Sequence, residues 1–195
     1  MSDVASYFDE KADSWLKMEE STKSPVQPAV AIMAGVGEGS RVLDLGCGLG
    51  VMMPVYRDLG VERVVGVDVS EKMIELARER WAGEPWVEFI AADAAELTLD
   101  EQFDAVVIYN AYPHFMNRPA LVGACWRLLA DGGRFVVAHG AGRQRINSHH
   151  DAVAAGVSLG LASAREESAA WEGPFSIDAL VDTPDFYAFA GAKAL

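Results

Sequence analysis

The stretch Arg41 to Gly50, RVLDLGCGLG, together with Val64 to Ser70, VVGVDVS, constrains the fold more than any other part of the chain. The first piece runs apolar residues into Asp44 and then sets glycine at 46, 48 and 50. That is the pattern of a buried parallel strand opening into a tight turn at a helix start. Glycines at such a turn let the backbone approach a ligand closely. The second piece is a β-branched run ending at Asp68, where an acidic side chain can reach the ribose hydroxyls of a nucleoside held over the first turn. Together the two pieces describe a nucleotide pocket.

The rest of the chain supplies a regular frame around that pocket. Strands are predicted at 41–46, 63–68, 86–91, 103–109 and 134–139. The run FDAVVIY at 103–109 is nearly all apolar, as a strand covered on both faces should be. Helices are predicted between them at about 51–59, 71–81 and 118–130, with Pro54 and Pro119 tolerated in first turns and Ser70 as an N-cap. Asp131-Gly132-Gly133 is expected to end the third of these. Alternation of this kind implies parallel βαβ units in a doubly wound α/β sheet. Beyond His139 the spacing predicts a helix over 143–160 and a polar connection over 163–173, in which Glu166 and Glu167 are expected to be solvated. Strand-like runs at 175–181 and 186–193 are joined by four turn-forming residues, so the last strand should be antiparallel to its neighbour.

Upstream of the first strand, residues 2–20 carry Val4, Tyr7, Phe8, Trp15 and Met18 at helical spacing, which suits either an anchor to the core or a lid. A second short helix is expected from Pro25 or Pro28 to about Val36. The whole of 1–195 reads as one domain, with helices of a lid over 1–38, a cofactor-binding core over 41–139, and a substrate-side helix and hairpin over 140–195.

A formal net charge of -13, with no block of Lys or Arg, argues against a nucleic-acid partner. Cys47 and Cys125 make no disulfide framework and fit a reducing compartment. The N-terminus is charged where a signal peptide would be apolar, and the weakly polar stretch at 152–164 is too short to span a bilayer. A soluble, cytoplasmic protein without a membrane partner is expected, and a homodimer is compatible with the sequence.

In order and spacing, VLDLGCGLG at 42–50, VVGVDVS at 64–70, IAADAAEL at 90–97, FDAVVIYNAYPHF at 103–115 and LLADGGRFVVAHG at 128–140 resemble the successive motifs of the class I S-adenosylmethionine-dependent methyltransferases. The resemblance covers about residues 5–195, and the first motif with its acidic partner is highly specific in combination. It implies a Rossmann-like seven-stranded sheet of order 3-2-1-4-5-7-6 with strand seven antiparallel. It further implies that Asp44, Gly46, Gly48 and Gly50 line the methionine part of S-adenosyl-L-methionine and that Asp68 holds the ribose. Val69 and Met73 would flank the adenine, Asp93 and the Ala94 N–H would meet its edge, and Asn110 would approach the methionine. The segment YFDEKADSW resembles a helix that covers the cofactor in small-molecule methyltransferases, which makes Tyr7 and Trp15 lid candidates. A dinucleotide site is the rival reading, but Gly46-x-Gly48-x-Gly50 is not the Gly-x-Gly-x-x-Gly that seats a pyrophosphate.

The implied activity is methyl transfer to a small molecule by in-line displacement. A cofactor-binding module or regulatory subunit that methylates nothing is the alternative. A sulfonium methyl is already activated, so the protein need only align the reactants and exclude water. A general base matters where the acceptor arrives protonated, and histidine suits that role near neutral pH. His114 and His139 follow the fourth and fifth strands, at the sheet end where ligands bind, and are the catalytic candidates; capping those strand ends is their alternative role. Arg143, Asn147 and His150 stand at i, i+4 and i+7 and are the substrate-binding candidates, or else solvated helix surface. No short His-x-His or Glu-x-x-His pair is present, and no metal is expected.

Overall fold

The computed structural model describes residues 3–19, 25–153 and 156–194; of these, the side chains of 13, 16–19 and 150–153 lie outside the description. Two helices lead the chain, α1 (Asp3–Glu19) and α2 (Gln27–Met33). Then strands and helices alternate: β1 (Arg41–Leu45), α3 (Met53–Asp58), β2 (Arg63–Asp68), α4 (Glu71–Arg80), β3 (Val87–Ala91), β4 (Phe103–Tyr109), α5 (Arg118–Leu128) and β5 (Leu129–His139). After β5 come α6 (Arg143–Val153), α7 (Ala164–Ala169), β6 (Phe175–Asp182) and β7 (Tyr187–Lys193). The strands form one sheet in the order β3-β2-β1-β4-β5-β7-β6. Pairs among β1 to β5 are parallel, and β7 runs antiparallel to both β5 and β6.

Period-two alternation sends each central strand's residues to two different cores. Leu43 and Leu45 of β1, Val65 and Val67 of β2, and Val106 and Ile108 of β4 face α5 with its Leu121, Val122, Cys125 and Leu128. Val42, Val64, Ala105 and Val107 face the other way, against Val30 and Ala31 of α2, Met53 and Tyr56 of α3, and Ile74 and Ala77 of α4. Burial on both faces is why these strands read as unbroken apolar runs. At the far edge β6 alternates buried or half-buried with exposed residues, as a strand with one solvated face should. Trp171 seals the first core, stacked on Phe135 with ring centroids 4.2 Å apart.

Three expectations are corrected. Helix α5 stops at Leu128 and β5 begins at once, because Leu129 pairs with Phe103; the ladder resumes at Ala105 with Arg134, so Asp131-Gly132-Gly133 is an irregularity inside a strand. The segment 163–173 holds a helix, α7, started by a capping box in which Ser163 and Glu166 satisfy each other's backbone N–H. Glu167 is not solvated. It is 7% exposed and its carboxylate accepts from Arg118 Nη1 at 2.7 and 2.8 Å, from the Ala162 N–H at 2.9 Å and from the Tyr112 hydroxyl at 3.3 Å. Arg118 also donates to the Gly160 carbonyl and lies over the Tyr112 ring. This network ties the start of α5 to the loop before α7. No described helix is long and apolar enough to cross a membrane.

Candidate functional site

At the carboxyl end of β1 the chain turns through Gly46 to Gly50, and the Gly46 and Cys47 N–H groups both donate to the Val67 carbonyl of β2. All three glycines have positive φ, and at two of them a side chain would also meet a close neighbour. A Cβ on Gly46 would collide with the Ala111 methyl, and one on Gly50 would come within 2.6 Å of Trp81 Nε1. At Gly48, with φ 52°, nothing stands within 4 Å of the missing Cβ, so that face of the turn is open. Its N–H donates to Asp68 Oδ2 at 2.9 Å, while Asp68 Oδ1 accepts from the Ser70 N–H at 3.0 Å. Burial raises the Asp68 pKa, and the backbone donors work against that rise.

A cavity of about 690 Å³ opens over this turn. Gly46, Gly48, Asp68, Val69 and Met73 line it on the β1–β2 side, and Asp93 and Ala94 extend the wall beyond β3. Asp93 Oδ1 accepts from the Ala95 N–H at 2.9 Å, which fixes the turn that carries it. Asn110, at the end of β4, also lines the cavity. It is the one non-glycine with positive φ among the described residues, at 56°, and its Oδ1 accepts from the Gly140 N–H at 2.9 Å. An amide side chain holding two strand ends together offsets the cost of that backbone.

Helix α1 closes one side. Val4, Tyr7, Phe8 and Trp15 line the cavity, and Asp9 fastens the helix by accepting from Ser70 Oγ at 2.5 Å and the Lys72 N–H at 3.2 Å. Ser70 in turn accepts from the Met73 N–H as the N-cap of α4. Beside α1, a short 3-10 turn at Tyr112–His114 sets His114 on the cavity wall. Its Nδ1 lies 2.8 Å from the Val157 carbonyl oxygen. A carbonyl only accepts, so Nδ1 carries the proton and Nε2 is the basic nitrogen of the neutral ring. The Phe8 ring meets the imidazole edge-on at 4.8 Å.

Several expected site residues stand elsewhere. Asp44 is 2% exposed beneath the turn, outside the cavity lining, where the Tyr56 hydroxyl donates to it at 3.3 Å. Burial pushes its pKa up to about 7, with the Tyr56 hydrogen bond acting against that rise and the nearby Asp68 charge adding to it. Gly50 packs on Trp81 rather than on the cavity. His139 is 3% exposed among β5 neighbours, edge-on to Tyr187 at 6.0 Å, and does not line the cavity. Arg143 pairs with Asp182 at 3.3 Å. Asn147 brackets Leu161, donating to its carbonyl at 2.9 Å and accepting from its N–H at 2.8 Å. The side chain of His150 lies outside the described residues. The face of α6 that meets the cavity carries Arg145 and His149 instead, two positions from the expected set and so about 200° around the helix. Phe8, Tyr109, Phe115, Met116 and Asn117 also line the cavity without having been singled out as site residues. A signal existed for Arg145 and His149: they stand at the same i, i+4 spacing as Arg143 and Asn147.

Strand order, the reversed seventh strand and the covering N-terminal helix define a class, and the chain has the class I S-adenosylmethionine-dependent methyltransferase fold. Within it, residues 43–137 match the methyltransferase domain family. Over 100 residues, 51% of this chain, the sequence is 38% identical to a demethylmenaquinone methyltransferase of Clavibacter sepedonicus, of whose length the match spans 40%. It is 36% identical over 103 residues, 52% of this chain and 41% of the relative, to a ubiquinone biosynthesis O-methyltransferase of Mesorhizobium japonicum. The chain thus spans about two-fifths of the length of these curated relatives. Among solved structures, a chain from the complex of the Haloferax volcanii Trm112 methyltransferase activator with a methyltransferase superposes with a TM-score of 0.80 at 21% identity, over 97% of each chain.

Proposed function

We propose that the protein binds S-adenosyl-L-methionine and transfers its methyl group to a small molecule by in-line displacement, with S-adenosyl-L-homocysteine as the second product. The observation that carries this reading is one cavity of about 690 Å³ that runs from Gly48, Asp68 and Asp93 to Asn110, His114 and α6, so that donor and acceptor share a space. The lining fits an adenosine. Asp68 gives one oxygen to each of two backbone N–H groups, which leaves lone pairs for ribose hydroxyls. Val69 and Met73 would flank the adenine, while Asp93 accepts from its amino group and the Ala94 N–H donates to the ring. Gly46, Gly48 and Asn110 would border the methionine end, and Tyr7 and Trp15 would cover it from α1.

When bound, the sulfonium supplies a methyl carbon already activated toward nucleophiles. What the chain must add is alignment and exclusion of water. Helix α1 excludes water, held down through Asp9 to the start of α4. His114 takes the proton of a hydroxyl acceptor on Nε2, its tautomer set by the Val157 carbonyl. A small-molecule acceptor also agrees with the name of the Clavibacter relative, a demethylmenaquinone methyltransferase.

Isothermal calorimetry with S-adenosyl-L-methionine and S-adenosyl-L-homocysteine tests the reading. Both should bind, and Asp68→Ala should weaken binding by about 1–3 kcal/mol through loss of hydrogen bonds to a charged acceptor. His114→Ala should leave that affinity intact and depress methyl transfer. Absence of binding heat for both ligands, or an Asp68→Ala affinity equal to wild type, contradicts it.

A further inference from the structure

Arg145 is the only lysine or arginine among the described residues that line the cavity. Its situation differs from that of five other arginines. Arg41, Arg63, Arg118, Arg134 and Arg143 each pair with a carboxylate, whereas Arg145 makes no ion pair or hydrogen bond with any described residue. His149 follows one turn later on the same face of α6 and lines the same space. The two acids of the lining, Asp68 and Asp93, are already engaged by backbone N–H groups. In a chain of net charge -13, an anionic small molecule is repelled by the surface at large and needs a fixed local cation to be held.

We propose that Arg145, with His149 beside it, binds an anionic group on the methyl acceptor. The acceptor class is then a small acid, carboxylate or phosphate, whose apolar body lies against Phe8, Phe115 and Met116 of the same cavity. The proposal rests on the methyl-transfer reading above. A guanidinium offers two parallel N–H donors to either anion, a geometry that a neutral amide or alcohol cannot match.

The test uses the full chain saturated with S-adenosyl-L-homocysteine and titrated by calorimetry with benzoate and phenyl phosphate, each against a neutral counterpart, benzamide and benzyl alcohol. At least one anion should bind about tenfold tighter than its neutral counterpart, and the preferred anion identifies the group. Arg145→Gln should erase that preference while S-adenosyl-L-homocysteine affinity stays within about twofold, and Arg145→Lys should keep part of it. The product affinity also shows that each variant is folded. Equal binding of anions and neutral counterparts to wild type overturns the proposal, as does an undiminished preference in Arg145→Gln. So does a loss of S-adenosyl-L-homocysteine affinity in that variant, which would give the guanidinium to the cofactor instead. Failure of wild type to bind S-adenosyl-L-homocysteine at all falls on the methyl-transfer reading itself.

Discussion

Removing the Glu167 carboxylate should destabilise the region where the start of α5 meets α7 and the loop before it. In the folded chain the Arg118 and Glu167 side chains are 17% and 8% exposed, and one guanidinium nitrogen lies 2.7 Å from a carboxylate oxygen. Glu167→Ala strands that guanidinium in a largely dry site and leaves the Ala162 N–H and the Tyr112 hydroxyl without their acceptor. Breaking a buried pair from one side costs about 3–5 kcal/mol. For a chain of this size, that corresponds to a fall in Tm of roughly 6–20 °C. Glu167→Gln keeps an oxygen for one donor and should cost less, about 1–3 kcal/mol. Replacing both partners, as Arg118→Met with Glu167→Leu, leaves no uncompensated charge and should be less destabilising than Glu167→Ala alone. Urea unfolding followed by tryptophan fluorescence reads all four proteins, since Trp171 is fully buried beside the network. A loss below about 1 kcal/mol in Glu167→Ala, or a double variant worse than that single one, would refute the claim that the pair fastens this region.

Three further outcomes are expected. Asp44 holds its proton up to about pH 7 when folded but releases it near 3.8 when unfolded. The folded state therefore binds more protons in that window, stability falls as pH rises through it, and Asp44→Asn should flatten the slope of urea midpoints between pH 5 and 8; an unchanged slope rejects the assignment. Gly48→Ala and Gly50→Ala both put an alanine at positive φ, but only the Gly50 methyl meets Trp81, so Gly50→Ala should be the more destabilising by about 1–3 kcal/mol, whereas Gly48→Ala should be the one that lowers S-adenosyl-L-homocysteine affinity. Equal thermal losses with equal affinities would contradict that division. Asp9→Ala should speed S-adenosyl-L-homocysteine release in stopped-flow fluorescence and cost about 1 kcal/mol, since Ser70 and the Lys72 N–H lose their acceptor. An unchanged release rate would mean that α1 does not retain the ligand.

Much of this architecture is legible in the sequence because local rules and tertiary packing agree there. The apolar runs at 63–68 and 103–109 match β2 and β4 to the residue, and Ser70 caps α4 as its spacing predicts. The misreadings come where a distant partner decides. Asp131-Gly132-Gly133 carries a strong stop signal, yet pairing of Leu129 with Phe103 keeps those residues within a strand. Glu167 reads as a surface acid until Arg118, far away in sequence, meets it. His139 ends a strand beside the ligand side of the sheet, but β7 packs Tyr187 against it and takes it out of reach of the cavity. On α6 the periodicity identifies two polar faces without saying which turns inward. The chain returning through Leu161 claims Asn147 and leaves Arg145 and His149 to the cavity.

A crystal of the protein soaked with S-adenosyl-L-homocysteine addresses the central claim most directly. The account predicts adenosine density between Asp68 and Asp93, with the ribose hydroxyls within hydrogen-bonding distance of the Asp68 carboxylate and the sulfur directed toward His114. Density absent from the glycine turn at full soak, or a ribose turned away from Asp68, would contradict it.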